Sequence, residues 1–224
     1  MPLLAIETAT LTTSVALVTT SGDIVQRERT VDTHSDVLLT LIDELLRDTG
    51  VAIADVNGVA VGAGPGSFTG LRIGMATAKG LCFANGVPLW TVSSLAALAL
   101  DAGPHPTRTV VPILDAKKRE VYAAAYRVTG DTPDELASAR VLPPAALGEW
   151  LASFESPVLV GTGVAAYREI ISDLGAEVLP DTRSTPSATS VARLALAASE
   201  SSDLAAAAPT YVRLSEAELK WNQR

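Results

Sequence analysis

Short apolar runs flanked by polar residues mark the first thirty positions as three strands: Leu3 to Thr8, Thr13 to Thr19 and Asp23 to Arg29. With Ser21-Gly22 as a turn between the last two, they predict an antiparallel β meander. The pattern then changes. Thr33 and Asp36 have capping-box spacing, and Val37, Leu38, Leu39, Leu41, Ile42, Leu45 and Leu46 wrap most of a helix ending near Gly50, which predicts burial on two sides. Gly58 to Ala63 reads as a strand, Gly64 to Gly70 as a glycine-rich turn and Leu71 to Asn85 as a helix. Val87 to Val92 is a strand feeding a helix from Ser93 to Asp101, so the order is βββαβαβα.

Gly103-Pro104-His105-Pro106 interrupts the pattern. Thr109 to Leu114 and Glu120 to Val128 then form a second hairpin around Lys117-Lys118-Arg119. Helices are predicted at Pro143 to Ser153, Val164 to Leu174 and Ala188 to Ser199, strands at Val158 to Gly161 and Glu177 to Leu179, and a Ser/Thr-rich loop at Asp181 to Ser187. The expected fold class is α/β, in two related lobes with mixed sheets, residues 1–102 and 103–224.

Composition narrows the function. In 224 residues, 48% hydrophobic content supports a large core, while 4% aromatics gives little on which to stack bases. The formal net charge of -8 repels a phosphate backbone, so no direct nucleic-acid contact is expected. One cysteine, Cys82, excludes a disulfide framework, and with only His34 and His105 no Cys/His metal cluster can form. The opening residues lack a secretory pattern and no apolar run reaches membrane-spanning length, so a soluble, cytoplasmic chain without membrane contact is expected.

The turn Gly64-Pro65-Gly66-Ser67-Phe68-Thr69-Gly70 lies where a strand meets a helix, a place suited to anions. A phosphate loop needs a Lys and a hydroxyl after the last glycine, but Leu71 and Arg72 follow. A dinucleotide fingerprint needs a small residue where Thr69 stands and an acid about 20 residues on; none occurs between Asp55 and Asp101. A tight turn with Ser67 or Thr69 capping the helix remains. Glu7 with Thr8, Thr10, Thr12 and Thr13 is similar to the acid-plus-glycine hairpin of actin-like ATPases but lacks its glycine. His34, Ser35 and Asp36 are triad types that cannot face one another from adjacent positions. Asp115 to Glu120 reads as a solvated hairpin tip or a contact for an acidic partner, and Gly161-Thr162-Gly163 as a weak anion site. No cofactor is called for.

The helix after the turn carries Gly70, Gly74, Ala76, Ala78, Gly80 and Ala84. Interior glycines cost about 1 kcal/mol each relative to alanine, so Gly74 and Gly80 call for an offsetting contact, inside the lobe or with a partner. Leu71, Met75, Ala78 and Cys82 form one apolar stripe and Ile73, Thr77, Leu81 and Phe83 cover other directions. Both helices are therefore either wholly internal or part of an intersubunit face.

Leu4-Ala-Ile-Glu-Thr-Ala-Thr10, His34-Ser35, Gly64-Pro-Gly-Ser-Phe-Thr-Gly-Leu-Arg-Ile-Gly74, Asp115-Ala-Lys-Lys-Arg-Glu-Val-Tyr122 and Pro209-Thr-Tyr-Val-Arg213 together resemble the TsaB (YeaZ) family of tRNA threonylcarbamoyladenosine biosynthesis proteins, nearly end to end. Glu7 stands where Asp is common in that family, and Lys117-Lys118 where arginines are usual. The resemblance implies two ASKHA lobes (actin/Hsp70/RNase H-like) and a non-catalytic scaffold and activator of the larger paralogue TsaD, which threonylcarbamoylates the tRNA adenosine beside the anticodon. It implies a heterodimer with TsaD, contact with TsaE through that complex, and a homodimer when the chain is alone. In TsaD an HxxxH pair holds the metal; Ser94 and Leu98 occupy those places here, so no metal site and no catalytic residue is expected. The expected docking face is the helices at 35–49 and 69–85, anchored by Leu38, Leu41, Ile42, Leu45, Leu71, Met75 and Cys82. The alternative is a stand-alone peptidase or ATPase of the same superfamily.

Overall fold

The computed structural model describes residues 1–30, 37–179 and 184–213. The proposed capping box at Thr33 and Asp36, the His34-Ser35-Asp36 run, the start of the first predicted helix and part of the 181–187 loop lie outside them.

Three N-terminal strands, β1 (Leu3–Glu7), β2 (Thr12–Val18) and β3 (Ile24–Thr30), form the expected meander. Helix α1 (Leu38–Thr49) leads to β4 (Gly58–Gly62), α2 (Phe68–Asn85), β5 (Leu89–Val92) and α3 (Ser94–Asp101). β4 pairs parallel with β1, and β5 with β4, giving the sheet order β3-β2-β1-β4-β5. The second half repeats the plan: β6 (His105–Lys117), β7 (Glu120–Val128), β8 (Pro133–Leu142), β9 (Pro157–Val160) and β10 (Glu177–Val178). Its order, β8-β7-β6-β9-β10, matches the first sheet strand for strand, with the same two antiparallel and two parallel pairings.

Alternation fixes which face each side chain serves. On one face of the first sheet Leu4, Ile6, Val15, Leu17, Val59, Val61 and Leu89 pack against α1 and α2; on the other Leu3, Ala5, Ala16, Val18 and Ala60 meet α7 (Ala188–Ala197). The second sheet puts Val110, Leu114, Tyr122, Ala124 and Val158 against α3, and Val111, Ile113, Val121, Ala123 and Leu159 against α4 (Leu147–Leu151), α5 (Thr162–Ala166) and α6 (Arg168–Ser172). Helices α3 and α7 touch each other and form the layer between the sheets. Asp101, at the end of α3, accepts from Ser187 N (2.8 Å), Ser187 Oγ (2.6 Å) and Ser190 Oγ (2.7 Å), an acid at the start of α7, whose first free N–H groups go to Ser14, Gln26 and Ser187.

Four expectations change. β8 was not expected: Asp-Glu-Leu-Ala-Ser-Ala-Arg-Val-Leu carries few β-branched residues and pairs on one edge only, with an irregular register. The 164–174 helix is broken at Tyr167, whose φ -125° and ψ 35° are not helical, into α5 and α6. The 143–153 helix shortens to α4 behind a 3-10 turn at Pro144–Ala146. His105 and Pro106 begin β6 instead of breaking the chain.

The fifth correction concerns docking. All seven expected anchors, Leu38, Leu41, Ile42, Leu45, Leu71, Met75 and Cys82, are at most 4% exposed within the single protomer. Six of them belong to the first-lobe core, and Leu71 sits beneath Gly64 of the glycine-rich turn. Helix α1 is one-sided, not two-sided: Thr40, Asp43, Arg47 and Asp48 face outward, with an Arg47–Asp43 pair and an Arg27–Asp48 bridge of 2.8 Å. A charge at Leu41 or Met75 therefore reports on folding, not on docking.

Candidate functional site

The glycine-rich turn is built around a buried acid. Glu7, at the end of β1, is wholly buried; its Oε1 accepts from Ala9 N (2.6 Å) and its Oε2 from Ser94 Oγ (2.7 Å). Burial pushes its carboxyl up to about 7, against the lowering effect of those hydrogen bonds. Ser94 also exchanges bonds with the turn: its N–H donates to the Gly64 carbonyl (2.9 Å), and Gly64 N donates to its Oγ (3.3 Å). Thr8 Oγ1 donates to the Gly70 carbonyl (2.9 Å) and Ser67 N to the Ala9 carbonyl (2.7 Å).

These contacts explain three glycines by space alone. A Cβ on Gly62 would overlap the Glu7 carboxylate, one on Gly66 the Ala9 backbone, and one on Gly74 the Thr8 hydroxyl. Ser67 caps α2, its Oγ accepting from Gly70 N at 3.2 Å; Thr69 is not the cap. Glu7, Thr8 and Ser94 thus pack directly against the turn and the start of α2. Leu98, one turn beyond Ser94, is buried. Among the described residues no three His, Cys, Asp or Glu side chains are grouped so as to hold a metal ion.

The Asp115–Glu120 tip is more than a solvated turn. Asp115 accepts from Lys117 N and Lys117 Nζ, both at 2.8 Å, and Tyr167 Oη lies 3.4 Å from its Oδ1. Arg213 reaches the tip from the C-terminal motif, donating to Glu120 Oε2 at 2.8 Å. Three quoted motifs, at 64–74, 115–122 and 209–213, therefore meet around one junction: Thr210 N donates to Ala63 O (2.7 Å) and Tyr211 Oη accepts from Arg72 Nε (3.0 Å).

The sequence model described as "TsaD: tRNA N6-adenosine threonylcarbamoyltransferase" matches residues 13–221. The TsaB protein of Bacillus subtilis (strain 168), a tRNA threonylcarbamoyladenosine biosynthesis protein, is 32% identical over 99% of this chain and 98% of its own. The chain belongs to the TsaB (YeaZ) family. The solved structure of YeaZ from Pseudomonas aeruginosa superposes on it with a TM-score of 0.80, at 31% identity over 94% of this chain and 99% of that one. The activator of 2-hydroxyisocaproyl-CoA dehydratase from Clostridium difficile, at 13% identity over 88% of this chain and 94% of its own with a TM-score of 0.52, shares the fold alone. Each lobe is an α/β unit built on a mixed five-stranded sheet.

What the seven buried anchors miss lies on the outer side of α2. Ala76, Gly80, Phe83 and Ala84 are exposed there, Phe83 at 83%, with Ile73, Thr77 and Leu81 half-buried beside them. Leu39 of α1, which covers the same sheet face, is 62% exposed. The small-residue pattern was visible in the sequence, but not its direction. Gly74 finds its close contact inside the lobe, at Thr8; among the described residues nothing lies within 4 Å of a Cβ built on Gly80.

Proposed function

We propose that this chain is a non-catalytic partner subunit in tRNA threonylcarbamoyladenosine biosynthesis and that it docks TsaD through the outer face of α2. The observation that carries this reading is Gly80. A glycine inside an 18-residue helix costs about 1 kcal/mol relative to alanine, and among the described residues none lies within 4 Å of a Cβ built there to offset it. Flanked by Ala76 and Ala84, it lets a second helix approach closely, and Phe83 is the aromatic anchor such a contact needs. In this reading the chain alone would pair with itself through the same face, and TsaE would be reached only through the TsaD complex. A formal charge of -8 leaves tRNA contacts to the partner. The buried, unpaired thiol of Cys82 suits the cytoplasm.

Titration of purified TsaD against Phe83→Asp is the direct test. Loss of a hot-spot aromatic, about 2 kcal/mol, weakens binding roughly 30-fold, with the melting temperature unchanged because the ring is in solvent. Undiminished affinity overturns the assignment. Gly80→Ala separates the two roles of that position: the isolated chain gains up to about 1 kcal/mol in urea unfolding, while the added methyl weakens TsaD binding.

A further inference from the structure

Residues 202–213 run as a strap from the edge of the first sheet to the hairpin of the second. Ser202 starts it, pairing antiparallel with Leu89 of β5, its N–H donating to the Leu89 carbonyl at 2.7 Å. Leu204 and Ala207 pack on the first-lobe core, and Lys79 of α2 donates to the carbonyls of Ala205 (3.1 Å) and Ala207 (2.9 Å). The strap then crosses the glycine-rich turn, where Thr210 N bonds Ala63 O and the Thr210 carbonyl lies 3.1 Å from where a Gly64 Cβ would stand. Tyr211 stacks on Phe68 with ring centroids 5.0 Å apart, and Arg72 lies over the Phe68 ring at 3.8 Å.

Beyond Tyr211 the contacts change lobe. Val212 packs against the core formed by α3 and the second sheet. Arg213 Nη1 donates to the Ala116 carbonyl (3.0 Å) and to Glu120 Oε2 (2.8 Å), with its side chain 27% and that of Glu120 35% exposed. Both acceptors belong to the hairpin whose tip holds Lys117, Lys118 and Arg119 at φ 61°, 54° and 60°, a left-handed region that side-chain-bearing residues rarely adopt. A charge-assisted, partly buried bond beside such a tip holds a conformation that the local sequence does not favour by itself.

We propose that residues 202–213 are an interlobe latch, fastened to the first lobe at Leu89, Lys79 and Ala63 and to the second by Arg213 on Ala116 and Glu120, which together with the α3–α7 layer fixes the separation of the lobes. Releasing Arg213 lets the lobes move apart and the 117–119 tip relax. The latch does not depend on what α2 docks.

Pulsed electron resonance on the full chain reads it directly. Nitroxide labels at Thr20→Cys and Asp131→Cys report one exposed position in each lobe, away from the strap. Native Cys82 does not compete, being buried with its thiol pushed up to about 11. The latched chain gives one narrow distance distribution. Arg213→Ala broadens it at least twofold, and Glu120→Gln, which weakens the same bond from the hairpin side, acts in the same direction. The double variant is no broader than the wider single, and Arg213→Lys falls between. Circular dichroism establishes that each variant is folded; if one is not, the other carries the test, since one residue lies on the strap and the other on the hairpin. Distributions unchanged in a folded Arg213→Ala or Glu120→Gln chain overturn the proposal.

Discussion

Replacing Gly66 with alanine is expected to lower the unfolding free energy by about 3 kcal/mol, the upper end of what overpacking costs. The new Cβ would overlap the Ala9 carbonyl oxygen and lie 2.6 Å from Ala9 Cβ and 2.8 Å from Ala9 Cα. The obstacle is backbone, so no rotamer change relieves it. The backbone in turn is held: Ala9 N donates to Glu7, and the Ala9 carbonyl accepts from Ser67 N at 2.7 Å. Moving Ala9 away strains the bond to the buried carboxylate; moving Gly66 away disturbs the Ser67 cap of α2. Either response removes a large share of the 5–15 kcal/mol that a domain usually has. Urea unfolding at one pH measures the loss, and Gly80→Ala, in open space on the same helix, is the control with the opposite sign. A cost below about 1 kcal/mol would show that the turn slides without resistance, contrary to its hydrogen bonds.

The difference between those two glycines shows what a sequence does and does not carry. Short apolar runs broken by polar and Ser-Gly positions from Leu3 to Arg29 and a 3.6 period in α1 and α2 are local consequences of strand and helix geometry, so the elements and the turn between them could be read directly. Direction is not local. Seven large apolar residues on α1 and α2 implied a face to be covered, and the face is covered by the chain's own β1, β2 and β4. Nothing in the spacing of Gly74 and Gly80 says that one meets Thr8 and the other meets solvent; that depends on a contact 66 residues away in sequence for the first. β8 stayed hidden because an edge strand pairs on one side and needs neither strong alternation nor branched side chains. The Arg213–Glu120 and Glu7–Ser94 bonds join positions 93 and 87 residues apart, and no single-sequence pattern encodes them. Their signal was indirect: Glu7, Glu120 and Arg213 lie in segments that resemble family motifs, and Ser94 stands where TsaD has a metal-binding histidine.

Substituting Glu7 with glutamine is expected to flatten the pH dependence of stability by about 3 kcal/mol. Burial raises the Glu7 carboxyl from its ordinary 4.5 to about 7 in the folded chain. Below 4.5 the group is protonated in both states and contributes no slope. Between 4.5 and about 7 the unfolded chain gives up the proton while the folded chain keeps it, so folding stability falls as pH rises; above about 7 both are ionised and the fall stops. At 1.36 kcal/mol per pH unit, that interval amounts to about 3 kcal/mol. Glutamine is neutral throughout, and its carbonyl can still accept from Ala9 N while its amide faces Ser94 Oγ, so the gap between variant and parent grows in the variant's favour across that window. Urea titrations of both proteins from pH 4.5 to 8 measure the gap, in which the contributions of all other titrating groups cancel. A gap constant with pH would mean that water reaches the carboxylate. The acid at the heart of the turn would then be an open polar group, and its bond to Ser94 would not be what fills the space between β1 and α3.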